Sequence, residues 1–115
     1  MIEVKTLDHA LHSGMYGGAV PDAMTATIRL LASLHDSEGN VAVAGLHEGK
    51  AADLPYDDAD LRRDSGLLDG VSQLGTGTIL DRIWNKPSIT VIGIDVPSVA
   101  LSSNTMLPSV SSKIS

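Results

Sequence analysis

Apolar and polar residues alternate in three separate stretches of this chain, residues 2–7, 88–94 and 108–115, whereas a long apolar stripe at helical spacing occurs once, from Met24 to His35. Alternation places every second side chain on one face of a strand, and a period of 3.6 places a stripe along one side of a helix. Strands therefore outnumber convincing helices and do not alternate with them regularly. That order disfavours a doubly wound parallel sheet. It predicts an α+β domain, an antiparallel sheet with helices packed on one face. The other face, or an edge strand, remains as a candidate interface.

The rest of the chain supplies punctuation. Residues 8–18 read as a loop in which Gly14, Gly17 and Gly18 allow positive φ or a close approach to the backbone. Asp22 is placed to cap a helix whose stripe is Met24, Ile28, Leu31 and His35, with Leu30 and Leu34 beside it. Residues 36–40, Asp-Ser-Glu-Gly-Asn, stop it and turn the chain towards a short strand at 41–44. Residues 46–56 have no period. Residues 57–68 predict a short helix with Asp57, Asp58 and Asp60 at its start, Arg62 and Arg63 after them, and Gly66 weakening its end. After the Gly75-Thr76-Gly77 break, residues 78–85 predict another, with Ile79, Leu80 and Ile83 facing inward and Pro87 beyond its end. Residues 96–104 read as an irregular loop. No repeat and no linker composition interrupts the sequence, so the expectation is one domain over residues 1–115.

Composition then excludes several functions. Aromatic residues make up 3% of the chain, namely Trp84, Tyr16 and Tyr56, so the core must be aliphatic; hydrophobic residues at 43% are enough to build it. The absence of Cys removes disulfides, thiolate metal sites and a cysteine nucleophile. No apolar run approaches the roughly 20 residues of a membrane span, and no signal-peptide h-region follows residues 1–5. The expectation is a cytoplasmic protein with no membrane partner. The net charge of −6, from 8 basic and 14 acidic residues, provides no phosphate-neutralising surface, so no nucleic acid is expected either.

Few residues offer chemistry on pattern alone. His9 and His12, with Asp8 adjoining, admit either a weak metal site or polar loop histidines, since no HExxH-like spacing is present. His35 reads as a histidine near a helix end, and His47 sits in a polar loop without an assigned role. The glycines at 14, 17 and 18 do not make a phosphate loop, because no Lys-Ser/Thr pair follows and the next helix opens on Pro21 and Asp22. Gly75-Thr76-Gly77-Thr78 admits an anion nest or a glycine turn capped by Thr78. No G-x-S-x-G elbow or EF-hand spacing occurs.

Longer segments carry a resemblance. Leu11-His12-Ser13-Gly14-Met15-Tyr16-Gly17-Gly18-Ala19-Val20-Pro21 resembles the D-L-H-S-G-x-x-G-G-x-x-P segment of the carnosinase, bacterial dipeptidase and aminoacylase branch of the cocatalytic zinc metallopeptidases. Residues 28–39, IRLLASLHDSEG, are similar to the helix and turn that follow there. Residues 84–94 resemble W-x-x-P-s-l-x-v-x-G-i, Asn104-Thr105-Met106-Leu107-Pro108 resembles k-T-v-I-P, and residues 113–115 resemble the next strand. The segments run in order over nearly the whole chain. One departure is Ala10, where the family carries Asp.

The resemblance implies a ferredoxin-like lid, or dimerisation, domain. It implies that residues 1–115 are excised from a larger two-domain metallopeptidase, truncated before the lid's last helix and strand. It implies that this chain is not itself the enzyme and holds no cofactor, and that two zinc or similar divalent ions sit in the parent's catalytic domain. The implied partners are a second copy, met through the sheet and helix layer, the parent's catalytic domain, and a peptide or N-acyl amino acid substrate. By position, His12 is expected to enter the neighbouring subunit's active site and stabilise the transition state, and Thr105 and Gly14 are expected to bind substrate. The alternative is a free-standing interaction or small-ligand-binding α+β domain with no peptidase parent.

Overall fold

The computed structural model describes Met1–Ser115, which divide into two compact units, Met1–Ser33 with Ile89–Ser115, and Leu34–Ser88. None of its helices is long and apolar enough to cross a membrane.

The first unit is built on a three-stranded antiparallel sheet. Strand β1 (Ile2–Lys5) and strand β3 (Val91–Ile94) flank the central strand β5 (Ser109–Ile114). Ile2 pairs with Ser112 and Val4 with Val110, so the apolar halves of β1 and β5 share a face. The register between β3 and β5 slips between Val91 and Gly93, a bulge at a glycine. Val110 and Ser112 are buried, as the alternation at 108–115 predicts.

Helix α2 (Ala23–Ala32) covers that face, packing on β5 and β1. Asp22 caps it as expected, its carboxylate accepting from the Thr25 amide at 2.9 Å. The sequence puts Met24, Ile28 and Leu31 inward, but the residues that close on the sheet are Ala23, Thr27 and Leu31, while Ile28 is 55% exposed. Small side chains let a helix approach a sheet closely. Thr27 meets the polar cost of burial by donating its hydroxyl to the Ala23 carbonyl at 2.7 Å. The helix also ends earlier than the stripe suggests. The Ser33 amide folds back onto the carbonyls of Arg29, Leu30 and Leu31, so His35 lies outside the helix and bridges to Val41.

Two short elements occupy what the sequence reads as the loop at 8–18. Strand β2 (Leu11–His12) pairs antiparallel with strand β4 (Thr105–Met106), and helix α1 (Ser13–Tyr16) follows β2 as a single turn. The loop at 96–104 likewise contains a 3-10 turn at Val99–Leu101.

In the second unit the turn at 36–40 forms as expected, the Asp36 carboxylate accepting from the Glu38 and Asn40 amides at 2.9 Å each. The strand expected at 41–44 reduces to the one bridge at Val41. Ala42 and Ala44 are weak strand formers, and Gly45, at φ +83°, turns the chain away. Helix α3 (Asp58–Ser65) has a complete capping box, Asp57 with Asp60, and a left-handed Gly66 at its end. The segment at 78–85 is helical but winds as a π-helix over Asp81–Asn85. It buries Ile79 and Leu80 and leaves Ile83 53% exposed.

Candidate functional site

The site is built where β2 runs into α1. β2 places His12 directly opposite Thr105 in the β2–β4 ladder, so two residues far apart in sequence become cross-strand neighbours. The Ser13 amide extends that ladder, donating to the Asn104 carbonyl at 2.9 Å. Both His12 and Thr105 are exposed, as are Gly14, Met15 and Tyr16. Thr105 is held as well: its amide donates to the Ser103 carbonyl, and its hydroxyl lies 2.7 Å from that of Ser103.

His12 is the N-cap of α1, with extended backbone at φ −78° and ψ 124°. Its Nδ1 accepts from the Gly14 amide at 3.0 Å. The turn closes because Gly17 donates its amide to the Ser13 carbonyl at 2.8 Å. A Cβ at Gly17 would fall 2.5 Å from that carbonyl oxygen, so the closure needs a glycine there. Of the three glycines only Gly18 takes a positive φ, +92°. Gly14 and Gly17 serve by leaving room. The turn therefore carries one imidazole outward on a fixed backbone, beside two exposed apolar side chains, Met15 (75% exposed) and Tyr16 (42%).

The other histidines are not gathered into this site. His9 pairs its Nδ1 with the neighbouring Asp8 carboxylate and is exposed. His35 lies at the Val41 bridge, and His47 is exposed in the connection at 46–56. No three His, Asp or Glu side chains converge on one point. The chain's own residues thus do not compose a ligand set for the two divalent ions that the resemblance implies. Nor are the amides at 75–78 arranged for an anion. The Gly75 amide donates to the Glu38 carbonyl, the Thr76 amide to the Asn40 side chain, and the Thr78 hydroxyl caps the Asp81 amide. This is the glycine turn with a threonine cap.

Sequence reading singled out His12, Thr105 and Gly14, and the fold brings all three into one corner. It did not see that His12 and Thr105 face each other, because a two-residue strand is too short to show alternation. The exposure of Met15 and Tyr16 has one signal in the sequence, two apolar residues in a turn with no helical or strand period to bury them.

Known proteins share this arrangement of elements. Residues 1–115 match a family profile described as the peptidase dimerisation domain. The Cysteinylglycine-S-conjugate dipeptidase of Corynebacterium striatum is 39% identical over 109 residues, 92% of this chain and 24% of that protein. The Beta-Ala-His dipeptidase of Homo sapiens is 31% identical over 107 residues, 83% of this chain and 20% of that protein. Among solved structures, human carnosine dipeptidase 1 superposes with a TM-score of 0.69 at 26% identity, covering 97% of this chain and 26% of that one. The dipeptidase Dug1p of Saccharomyces cerevisiae superposes at 0.68 with 21% identity over the same shares, a likeness of fold. The chain spans about a fifth to a quarter of the length of the curated relatives it matches.

Proposed function

Because the chain belongs to the peptidase dimerisation domain family, we propose that it forms the dimer contact and the substrate-covering lid of a longer metallodipeptidase-like hydrolase, and that it lends His12 to the active site of the second subunit. The curated relatives named above are dipeptidases, and a more distant one from Saccharomyces cerevisiae carries the name Cys-Gly metallodipeptidase. The substrate class that follows is a dipeptide or an N-acyl amino acid, and the bond cleaved is an amide.

One observation carries the reading: the His12 imidazole stands exposed on a turn whose backbone is fixed by the β2–β4 ladder, with no partner set that would make it a metal ligand. A donor held in place before the reaction is most useful where charge develops. In amide hydrolysis that place is the carbonyl oxygen, which becomes an oxyanion in the tetrahedral intermediate. His12 donates a hydrogen bond to that oxygen. Thr105, beside it, offers its hydroxyl to the substrate's carboxylate end. Met15 and Tyr16 supply apolar contact around the entry point and exclude water.

The second copy docks on the open edge of the sheet. All four residues of β3 are exposed, with Ile92 at 54%, and the 3-10 turn that follows it in sequence leaves Val99 93% and Leu101 82% exposed. An apolar, unprotected edge of this kind favours pairing with another strand.

The test is His12→Ala in the full-length enzyme. Loss of one oxyanion donor is worth about 10²–10³ in kcat, with KM changed much less. Mixed dimers address the donation between subunits. A His12→Ala subunit paired with one inactivated in its catalytic domain should recover turnover at its intact site. Unchanged kcat in the first experiment, or no recovery in the second, would refute the role.

A further inference from the structure

Gly14 is expected from the resemblance to touch substrate, but its amide is already engaged. The single proton on that amide points at His12 Nδ1, 3.0 Å away. In a neutral imidazole the nitrogen that accepts is the one without the proton, so the hydrogen resides on Nε2. Space explains why residue 14 is a glycine. Its φ is not positive, so any residue could adopt the backbone. A Cβ there, however, would lie 2.7 Å from His12 Cε1 and 3.0 Å from His12 Nδ1. With the His12 backbone held opposite Thr105 and the Ser13 amide tied to Asn104, the relief left is for the exposed ring to swing away from the residue-14 amide, which breaks the Nδ1 contact.

The geometry points to Gly14 as a positioning residue that seats the His12 ring and fixes it as the Nε2–H tautomer. The outer nitrogen is then a hydrogen-bond donor and not an acceptor. The ring is matched to an acceptor oxygen, such as an amide carbonyl or a carboxylate, and mismatched to an ammonium or hydroxyl donor. A histidine general base would need the opposite state at that atom. The inference rests on the reading of His12 as the working group, but its test does not use turnover.

That test is a long-range proton–nitrogen correlation spectrum of the ¹⁵N-labelled chain, recorded with the His12 ring neutral. The expected spectrum has two widely separated His12 nitrogen shifts, Nδ1 at the unprotonated extreme and Nε2 at the protonated one. Gly14→Ala should draw the two towards each other, as in a ring exchanging between tautomers, while the amide shifts of β1 and β5 stay in place. Should Gly14→Ala not fold, the Gly14 amide decides. Its hydrogen exchange should be preserved in His12→Asn, whose side-chain oxygen accepts at the same position. In His12→Phe it should be about fivefold faster, the worth of one ordinary hydrogen bond. Averaged or reversed nitrogen shifts in the unmodified chain, or Gly14 exchange indifferent to His12→Phe, would overturn the assignment. A single Nε2–H tautomer together with unchanged kcat in His12→Ala enzyme would instead sink the catalytic reading and leave this one standing.

Discussion

At Asp22 one carboxylate determines where the main helix begins. Burial alone would raise its pKa; hydrogen bonds, led by the Thr25 amide and joined by the Thr25 side chain, outweigh it and hold the group below its ordinary value of 3.8. A folded pKa below the unfolded one means that, as the pH falls, the unfolded state takes up the proton before the folded state does. The stabilisation is therefore fully present above about pH 4 and is lost as the pH drops through the lowered folded value. Asp22→Ala should cost about 1 kcal/mol at neutral pH, and Asp22→Asn, which keeps an acceptor without a charge, much less. Urea unfolding at neutral pH and near pH 3 separates the two contributions: the gap between the unsubstituted chain and Asp22→Asn should narrow in acid. Asp22 was legible because a cap acts on its own next turn. His12 and Thr105 were legible as residue types within motifs, but their pairing was not. It is a contact between distant segments, and no local propensity encodes it. The role of Gly14 was also out of reach, because a steric demand of 2.7 Å between a missing Cβ and a ring appears only once the ring is placed.

Among the elements, α2 and β5 could be read directly, the first from its cap and period and the second from its alternation. The reading failed at their shared surface. Sequence patterns weight large apolar side chains, yet the helix closes on the sheet through Ala23 and Thr27, and Ile28 and Leu30 stand 55% and 42% exposed. The stretch at 88–94 is the most strand-like in the chain, yet its strand β3 is an exposed edge rather than a core strand, with Val91 and Ile94 each 39% exposed. Burial requires a neighbour on each side, and β3 has β5 on one side alone. β-branched residues on an edge promote pairing between chains, where a lysine would block it. Ile92→Lys should therefore weaken self-association while leaving the fold intact. Light scattering across a dilution series should show a dimer for the unsubstituted chain and an apparent Kd raised about tenfold or more for the variant, since tenfold corresponds to about 1.4 kcal/mol. An unsubstituted chain that stays monomeric at every concentration would remove β3 as the contact.

For the whole molecule, the two units differ in what holds them. Met1–Ser33 with Ile89–Ser115 buries Ala23, Leu31, Met106 and Val110 among the three-stranded sheet, the β2–β4 pair and α2. Leu34–Ser88 buries Ile79 and Leu80 but leaves Leu68 and Leu74 each 73% exposed and Trp84 62% exposed. It relies on side-chain anchors instead. Arg62 grips Asp58 at 2.7 Å and the carbonyls of Leu68 and Val71 at 2.8 and 2.9 Å, and Arg82 holds the Leu74 carbonyl at 2.7 Å. Leu34–Ser88 is the more charged stretch, but no linker composition marks either boundary, so the sequence reads as continuous across them; the units separate by where their contacts fall. Exposed hydrogen bonds and a small apolar core place a region at the low end of local stability. Amide exchange should accordingly be faster throughout α3 and the π-helical turn than in β1 and β5. Arg62→Ala removes three anchors of the weaker unit at once. Its effect should stay local, with the amides around Leu68 and Val71 exchanging several-fold faster and those of Val110 and Ser112 unchanged. If the β5 amides accelerated to the same extent, the chain would open as one cooperative body, and separate stabilities for the two units would have to be abandoned.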